Sequence, residues 1–395
     1  MSSTGRIEMP CWSRGRSRTL QRNHAEVSTP EPRPSLTSTD IELVLITGAG
    51  ASREFGTNRQ KMPLMPDWSD LVVKKLVQTG APFFELTELR DNLSGPAFEQ
   101  ALGRFLRHAE AFAAIEDVVP AMARVSIPGA QPPPQFEQWY HSMKGQFDRI
   151  TNAVEETLVE QFNYGRVSSV LAAQGFRELF SRLQLTHEAP IVWATTNYDP
   201  VAELALYEMG RRPECGEPQQ LPGVAQKPLD VIGILGGLPR QTPVLHLHGK
   251  VGWYRDPKDG TVMHRQVTAH DRTFGLPVVM LPDPEKGYAG DDVLTMMWSQ
   301  FEAALRRARR VLVLGHSLSD ELITKALHDH VSPDRLGIVV LGDGKGGVDP
   351  SAAEFHARVG KTFPGSALMA VRFGPDIGDD GNVLTEFARR TAAIV

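Results

Sequence analysis

Short runs of apolar and β-branched residues, with no polar face, alternate along this chain with stretches of helical period. The first run passes directly into a glycine-rich turn, and several others end abruptly in polar residues. Strands apolar on both faces must be covered on both, and strands alternating with helices close into a parallel sheet. The fold class predicted is therefore α/β, a doubly wound parallel Rossmann-like sheet, with a helical insertion subdomain.

Residues 42–47 (ELVLIT) read as the first buried strand. MPDWSDLVVKKLVQ follows as a helix, because Trp68, Leu71, Val72 and Leu76 repeat near period 3.6 and Asp67 can cap it. The helical pattern resumes from about 84 to 124, breaks at the Pro-rich IPGAQPPPQFEQ, and continues to about 185 with Gly165 and Gly175 as interruptions. The stretch 80–185 is thus expected to be an insertion within a domain spanning 41–395. PIVWATTNYD and TPVLHLHGKVGWYR are the next strands, both with polar ends. RRVLVLGHSLSDELITKALHDH reads strand, turn, helix, and RLGIVVLGDG and ALMAVRFG are further strands. The Pro- and Gly-rich stretch from 213 to 240 is expected to be a loop excursion over the site, and no repeat of fixed period is found.

Residues 1–40 are rich in Ser, Thr, Arg and Pro without apolar periodicity, and read as a disordered arm that could contact a partner. They lack the apolar core of a secretory signal; an organelle transit peptide is the other reading. With 395 residues, 41% of them hydrophobic, the chain can bury one large core or two modest ones. A net charge of -5 argues against a global basic field for nucleic acid. Two cysteines, Cys11 and Cys215, are too few for a disulfide framework or a four-cysteine zinc site, which fits a reducing cytoplasm. The lack of a long apolar run argues against a membrane span.

In a doubly wound sheet, ligands bind beyond the carboxyl ends of the strands. Four strands here end in chemistry-bearing residues: Gly48-Ala49-Gly50-Ala51-Ser52, Thr195-Thr196-Asn197-Tyr198-Asp199, His246-Leu247-His248-Gly249 and Gly315-His316-Ser317-Leu318-Ser319-Asp320. Glycines between strand and helix let main-chain N–H groups approach a phosphate, and Ser52 adds a hydroxyl; a tight turn that binds nothing has the same look. The turn matches neither the dehydrogenase G-x-G-x-x-G, since Arg53 holds the third glycine position, nor the P-loop. Asn197 and Asp199, two apart, can point the same way and hydrogen-bond a sugar hydroxyl and a carboxamide. Asp199, ahead of Pro200, also suits a helix cap. His248 at an open strand end could act as a general base, while the His246–His248 pair lacks companions for a metal site. Gly315 and Ser317 suit a ligand-lining turn, and Ser319 or Asp320 a helix cap.

In this order, GAGAS, TTNYD, LHGK and GHSL resemble the sirtuin family, and especially the sirtuin-like NAD-degrading effectors of prokaryotic antiphage defence systems. The resemblance covers roughly residues 42 to 320. It implies NAD as substrate, with the adenine-ribose end near Gly315 and Ser317. The four cysteines that hold zinc in the family's protein deacylases are missing, so no zinc is expected. NAD hydrolysis to nicotinamide and ADP-ribose is then the expected activity, with His248 and Asn197 catalytic. Gly48, Ala49, Gly50, Ser52, Asp199, Gly315 and Ser317 would be the binding residues. A homo-oligomer gated by a partner is expected, an ATPase or nuclease encoded beside it. Rival readings are an NAD or ADP-ribose binding module without catalysis, and a zinc-independent deacylase or ADP-ribosyltransferase.

Overall fold

A central strand of a covered sheet needs apolar side chains on alternate positions for two separate cores, and β1 (Ile41–Thr47) supplies them. Leu43 and Leu45 enter one core and Val44 and Ile46 the other. The computed structural model describes residues 41–78, 134–217, 228–232, 234–237, 241–256, 258–265, 275–280, 291–341, 350–377 and 381–393. The expected N-terminal arm and residues 80–133 of the expected insertion lie outside them.

The strands that follow are β2 (Ile191–Thr195), β3 (Pro213–Glu214), β4 (Thr242–His246), β5 (Gly249–Arg255), β6 (Val262–His264), β7 (Leu276–Val279), β8 (Ala308–Leu314), β9 (Leu336–Leu341) and β10 (Ala367–Val371). Six of them join β1 in a wholly parallel seven-stranded sheet in the order β10-β9-β8-β1-β2-β4-β3. The chain leaves β1 on one side to β2 and later returns on its other side as β8, so β1 lies at the topological switch point. The fold is the expected doubly wound α/β sheet.

Helices cover both faces. After the single-turn α1 (Ala49–Ser52), on one side lie α2 (Met65–Gln78), α3 (Pro134–Phe162), α4 (Ser169–Arg182), α5 (Val201–Glu208) and α9 (Asn382–Ala392), contributing Trp68, Val154, Phe176, Ala205 and Phe387 to a shared core. On the other lie α6 (Asp292–Arg307), α7 (Glu321–His330) and α8 (Pro350–Thr362), contributing Trp298, Leu327 and Val359. Helix α4 packs straight onto the sheet, with Phe176 4.2 Å from the Trp193 ring. Gly165 does fall between α3 and α4, but Gly175 does not interrupt α4. A Cβ on Gly175 would sit 2.4 Å from the Gly374 carbonyl oxygen, so this glycine lets the C-terminal segment approach the helix.

The run TPVLHLHGKVGWYR is two strands in two sheets. Gly249, at φ +76°, redirects the chain after β4, and a Cβ there would lie 2.0 Å from the Val278 carbonyl oxygen. Strand β5 then pairs antiparallel with β6 and β7 in a small second sheet. Among the described residues, no helix is long and apolar enough to cross a membrane.

Candidate active site

Register brings the strand ends into line. Leu314 pairs with Thr47, Thr47 with Thr195, and Thr195 with His246, so β8, β1, β2 and β4 end in one row at the switch point. Two of the polar strand ends singled out in the sequence begin in this row, at Thr195 and His246, and two just past it, at Gly48 and Gly315.

Ser52 joins two of them. Asn197 Nδ2 donates to Ser52 Oγ (2.8 Å) and to the Gly48 carbonyl oxygen (3.1 Å), and Ser52 Oγ donates to Asp199 Oδ1 (3.2 Å). Asn197, Ser52 and Asp199 are all buried. The same Asp199 oxygen accepts the Val201 N–H at 3.0 Å, so the carboxylate also caps the first turn of α5. Burial pushes its carboxyl up to about 6, against the partial relief of the Val201 and Ser52 hydrogen bonds.

His248 is tied to the same region from three sides. The Leu247 N–H bonds the Thr195 carbonyl (2.9 Å) and the Val251 N–H the Tyr198 carbonyl (3.0 Å), bracketing His248 against the Asn197 segment. The Met280 N–H donates to the His248 carbonyl (2.7 Å), while Tyr198 Oη donates to the Met280 carbonyl (2.6 Å). His248 Nε2 lies 2.8 Å from Asp320 Oδ2, and the other Asp320 oxygen accepts the Leu322 N–H at 2.9 Å to cap α7. Of Ser319 and Asp320, the cap is Asp320. A carboxylate on Nε2 fixes the tautomer and makes Nδ1 the basic atom.

The two glycine turns lie against each other. The Gly48 N–H donates to the Leu314 carbonyl (3.1 Å) and the Gly50 N–H to the Gly315 carbonyl (3.0 Å). A Cβ on Gly48 would meet His316 Cα at 2.7 Å, and one on Gly50 the Gly315 oxygen at 2.9 Å. The glycines are thus explained by turn packing, and their N–H groups are occupied; Ala49 is the exposed residue of that turn. Gly315 combines φ +63° with a Cβ position 2.3 Å from the Ala51 nitrogen. Gly315→Ala is expected to lose at least about 1 kcal/mol of stability, read as a lowered urea midpoint at unchanged slope. Beyond it Leu318 adopts φ 53°, held by its N–H on His316 Nδ1 (2.9 Å) and by Arg358, which donates to the Ser317 (2.6 Å) and Leu318 (3.3 Å) carbonyls. Ser317 Oγ is exposed, 2.7 Å from Ser319 Oγ.

The sequence reading missed three groups here. Asp320 is partner to His248 as well as a cap, His316 stands beside Gly48, and behind His248 lies a buried ion cluster. Lys250 Nζ is 2.5 Å from Glu203 Oε1 and 2.6 Å from Glu217 Oε1, with no side-chain exposure. Burial opposes the ammonium, but Glu203 and Glu217 outweigh it and hold the Lys250 pKa well above its ordinary value. Burial likewise pushes the Glu203 carboxyl up, yet Lys250 and His246 hold it well below the usual range. His264, 3.2 Å from Glu217, is lowered to about 4 by burial and is neutral near pH 7. Glu203, Cys215 and Glu217 bring ligand atoms within 4.8 Å of one another, a spacing suited to a metal ion, but the Lys250 ammonium already bridges the two carboxylates. In the sequence, Lys250 directly following His-Gly was the available signal; Glu203 had the look of any helix-surface glutamate.

No protein-family model matches the chain. No curated protein matches it either. Among solved structures, the chain is similar to a Sir2 homologue crystallised as a complex with NAD, at 13% identity over 89% of this chain and 90% of that one, with a TM-score of 0.33. It is similar also to a mutant Sir2 homologue in complex with ADP-ribose, at 13% identity over 89% of this chain and 92% of that one, with a TM-score of 0.34.

Proposed function

We propose that the chain is an NAD hydrolase that cleaves the nicotinamide–ribose bond, releasing nicotinamide and ADP-ribose. The observation that supports it most is the convergence of Asn197, Ser52 and Asp199 with the His248–Asp320 pair at one switch point. A pure binding module has no need of an imidazole oriented by a buried carboxylate.

Cleavage passes through an oxocarbenium-like state, as in glycoside hydrolysis. The bond electrons leave with nicotinamide, neutralising its ring nitrogen; water adds its oxygen to the ribose carbon and gives up a proton. In this reading His248 Nδ1 takes that proton, or one from a ribose hydroxyl, and the resulting imidazolium is stabilised by Asp320. Asn197 holds the nicotinamide ribose and positions the water, and Asp199 grips the carboxamide. The Gly48–Ser52 turn, with Ala49 on its surface and Gly50 behind, lines the dinucleotide path, and Gly315 and Ser317 the adenine-ribose end.

The finer reading is a sirtuin-like effector of antiphage defence. Unrestrained NAD loss would harm the cell that makes it, so activity is gated by homo-oligomerisation or by a partner, an ATPase or nuclease encoded beside it. The arm 1–40 and the helical insertion 80–185 are the contact surfaces in this account. The decisive experiment follows nicotinamide release from NAD by the full chain, alone and with the neighbouring gene's product. Stoichiometric nicotinamide and ADP-ribose in either condition support hydrolysis; NAD left intact in both removes the proposal. An acyl-ADP-ribose formed only with acylated peptide would instead establish the deacylase reading.

A further inference from the structure

Glu203 stands four residues beyond Asp199, on the helix whose first turn Asp199 caps. Its Oε1 receives both His246 Nε2, at 2.9 Å, and Lys250 Nζ, at 2.5 Å. His246 and Lys250 are the second residues before and after His248. A single carboxylate oxygen therefore grips the β4–β5 connection on both sides of the imidazole. Glu217 extends the grip, taking Lys250 Nζ at 2.6 Å, the Trp253 indole N–H at 2.8 Å and His264 Nδ1 at 3.2 Å.

The cluster is costly to build. Lys250 and His246 have no exposure, and Glu203 is 7% exposed. Moving such charges out of water is unfavourable, and apolar replacements of buried ion pairs are often as stable or more so. Glu203 Oε2 and His246 Nδ1 have, moreover, no hydrogen-bond partner among the described residues. An arrangement that leaves polar atoms unmatched is a poor stabiliser. What it does supply is fixed distances. It ties α5, which follows Asn197 and Asp199, to the segment carrying His248, adding side-chain links to the main-chain bonds between them. The orientation of His246 rests on Glu203 through Nε2 and on the edge of the Trp253 ring, 5.5 Å away between centroids.

We propose that Glu203 is a positioning residue, which through His246 and Lys250 sets the His248 ring against Asn197 and Asp199. This rests on the hydrolase reading for its kinetic consequence, but not for its structural one. A 1 Å misplacement of a reacting group can cost about 10²-fold in rate, so the expected signature is a fall in kcat with little change in KM.

The test uses the full chain with Glu203→Gln and Lys250→Met combined, which leaves the net charge of the cluster unchanged; Glu217 loses Lys250 but keeps the Trp253 indole N–H and His264 Nδ1. Glu203→Asp serves as the conservative variant. Two readouts are taken: kcat and KM for nicotinamide release, and the ring-nitrogen NMR shifts of His248, with exposed His187 as internal control. The proposal expects kcat to fall by about 10- to 100-fold at a KM within about threefold of wild type, with partial recovery in Glu203→Asp. It also expects the His248 ring signals to move while those of His187 stay. Wild-type kcat with unmoved His248 signals overturns it. So does a loss of kcat that only follows a loss of folded protein, with the His248 signals of the folded fraction unchanged. If the wild-type chain releases no nicotinamide under any condition, the hydrolase reading fails separately. The ring signals then decide positioning alone, movement supporting it and constancy overturning it.

Discussion

His248→Ala is expected to reduce nicotinamide release by about 10²–10⁴-fold, the usual contribution of a positioned general base. The protein should remain folded. Asp320 loses its contact with Nε2, yet it still accepts the Leu322 N–H at the start of α7, where the helix dipole favours a negative charge. Asn197→Ala should give a loss of similar size for a different reason, because it removes the group that holds the ribose and water. Its two acceptors keep other bonds: the Gly48 carbonyl still takes the Ala51 N–H, and Ser52 still donates to Asp199. Chromatographic measurement of nicotinamide, beside calorimetric NAD binding and urea unfolding, checks both variants. Wild-type release by either one, in folded protein, would remove that residue from the mechanism.

Asp199→Asn is expected to stabilise the protein while lowering its turnover. Burial places the Asp199 carboxyl at about 6 in the folded state, above the ordinary 3.8. Between those values the folded chain holds a proton that the unfolded chain has released, so folding stability falls as pH rises through the window. Above about pH 6 the ionisation penalty is complete, and a gap of about two pH units corresponds to about 3 kcal/mol. Below about pH 4 both states are protonated and the penalty vanishes. An asparagine keeps an oxygen for the Val201 N–H and for Ser52, and carries no charge to desolvate. Urea unfolding should therefore show a gain of up to about 3 kcal/mol near pH 8 and almost none near pH 4. An equal change at both pH values would show that ionisation is not what the site resists. The combination of gain and loss is what a carboxylate retained for ligand binding, against its own stability, should produce.

The parallel strands were legible because a strand covered on both faces leaves a continuous apolar run, as in Leu43 to Ile46 and Val311 to Leu314. The polar strand ends were legible for the converse reason: residues such as Asn197 and His248 directly after such runs have no place in either core. The division of TPVLHLHGKVGWYR between two sheets was not legible. It depends on the positive φ of Gly249 and on the proximity of Val278, a residue that local pattern does not bring to mind. Strands as short as β6 and β7 carry too few residues for a period to be read.

Local pattern by itself determined the alternation of strand and helix, the parallel sheet that follows from it, and the four segments at its carboxyl edge, since burial on two faces constrains composition directly. Tertiary structure alone decided what each of those residues touches. Asp320 joins His248 across 72 residues, Glu203 reaches His246 across 43, and the Gly48 and Gly315 turns exclude each other's side chains. Such contacts depend on strand order and register, which place distant residues within hydrogen-bond reach and leave no periodic trace in the chain.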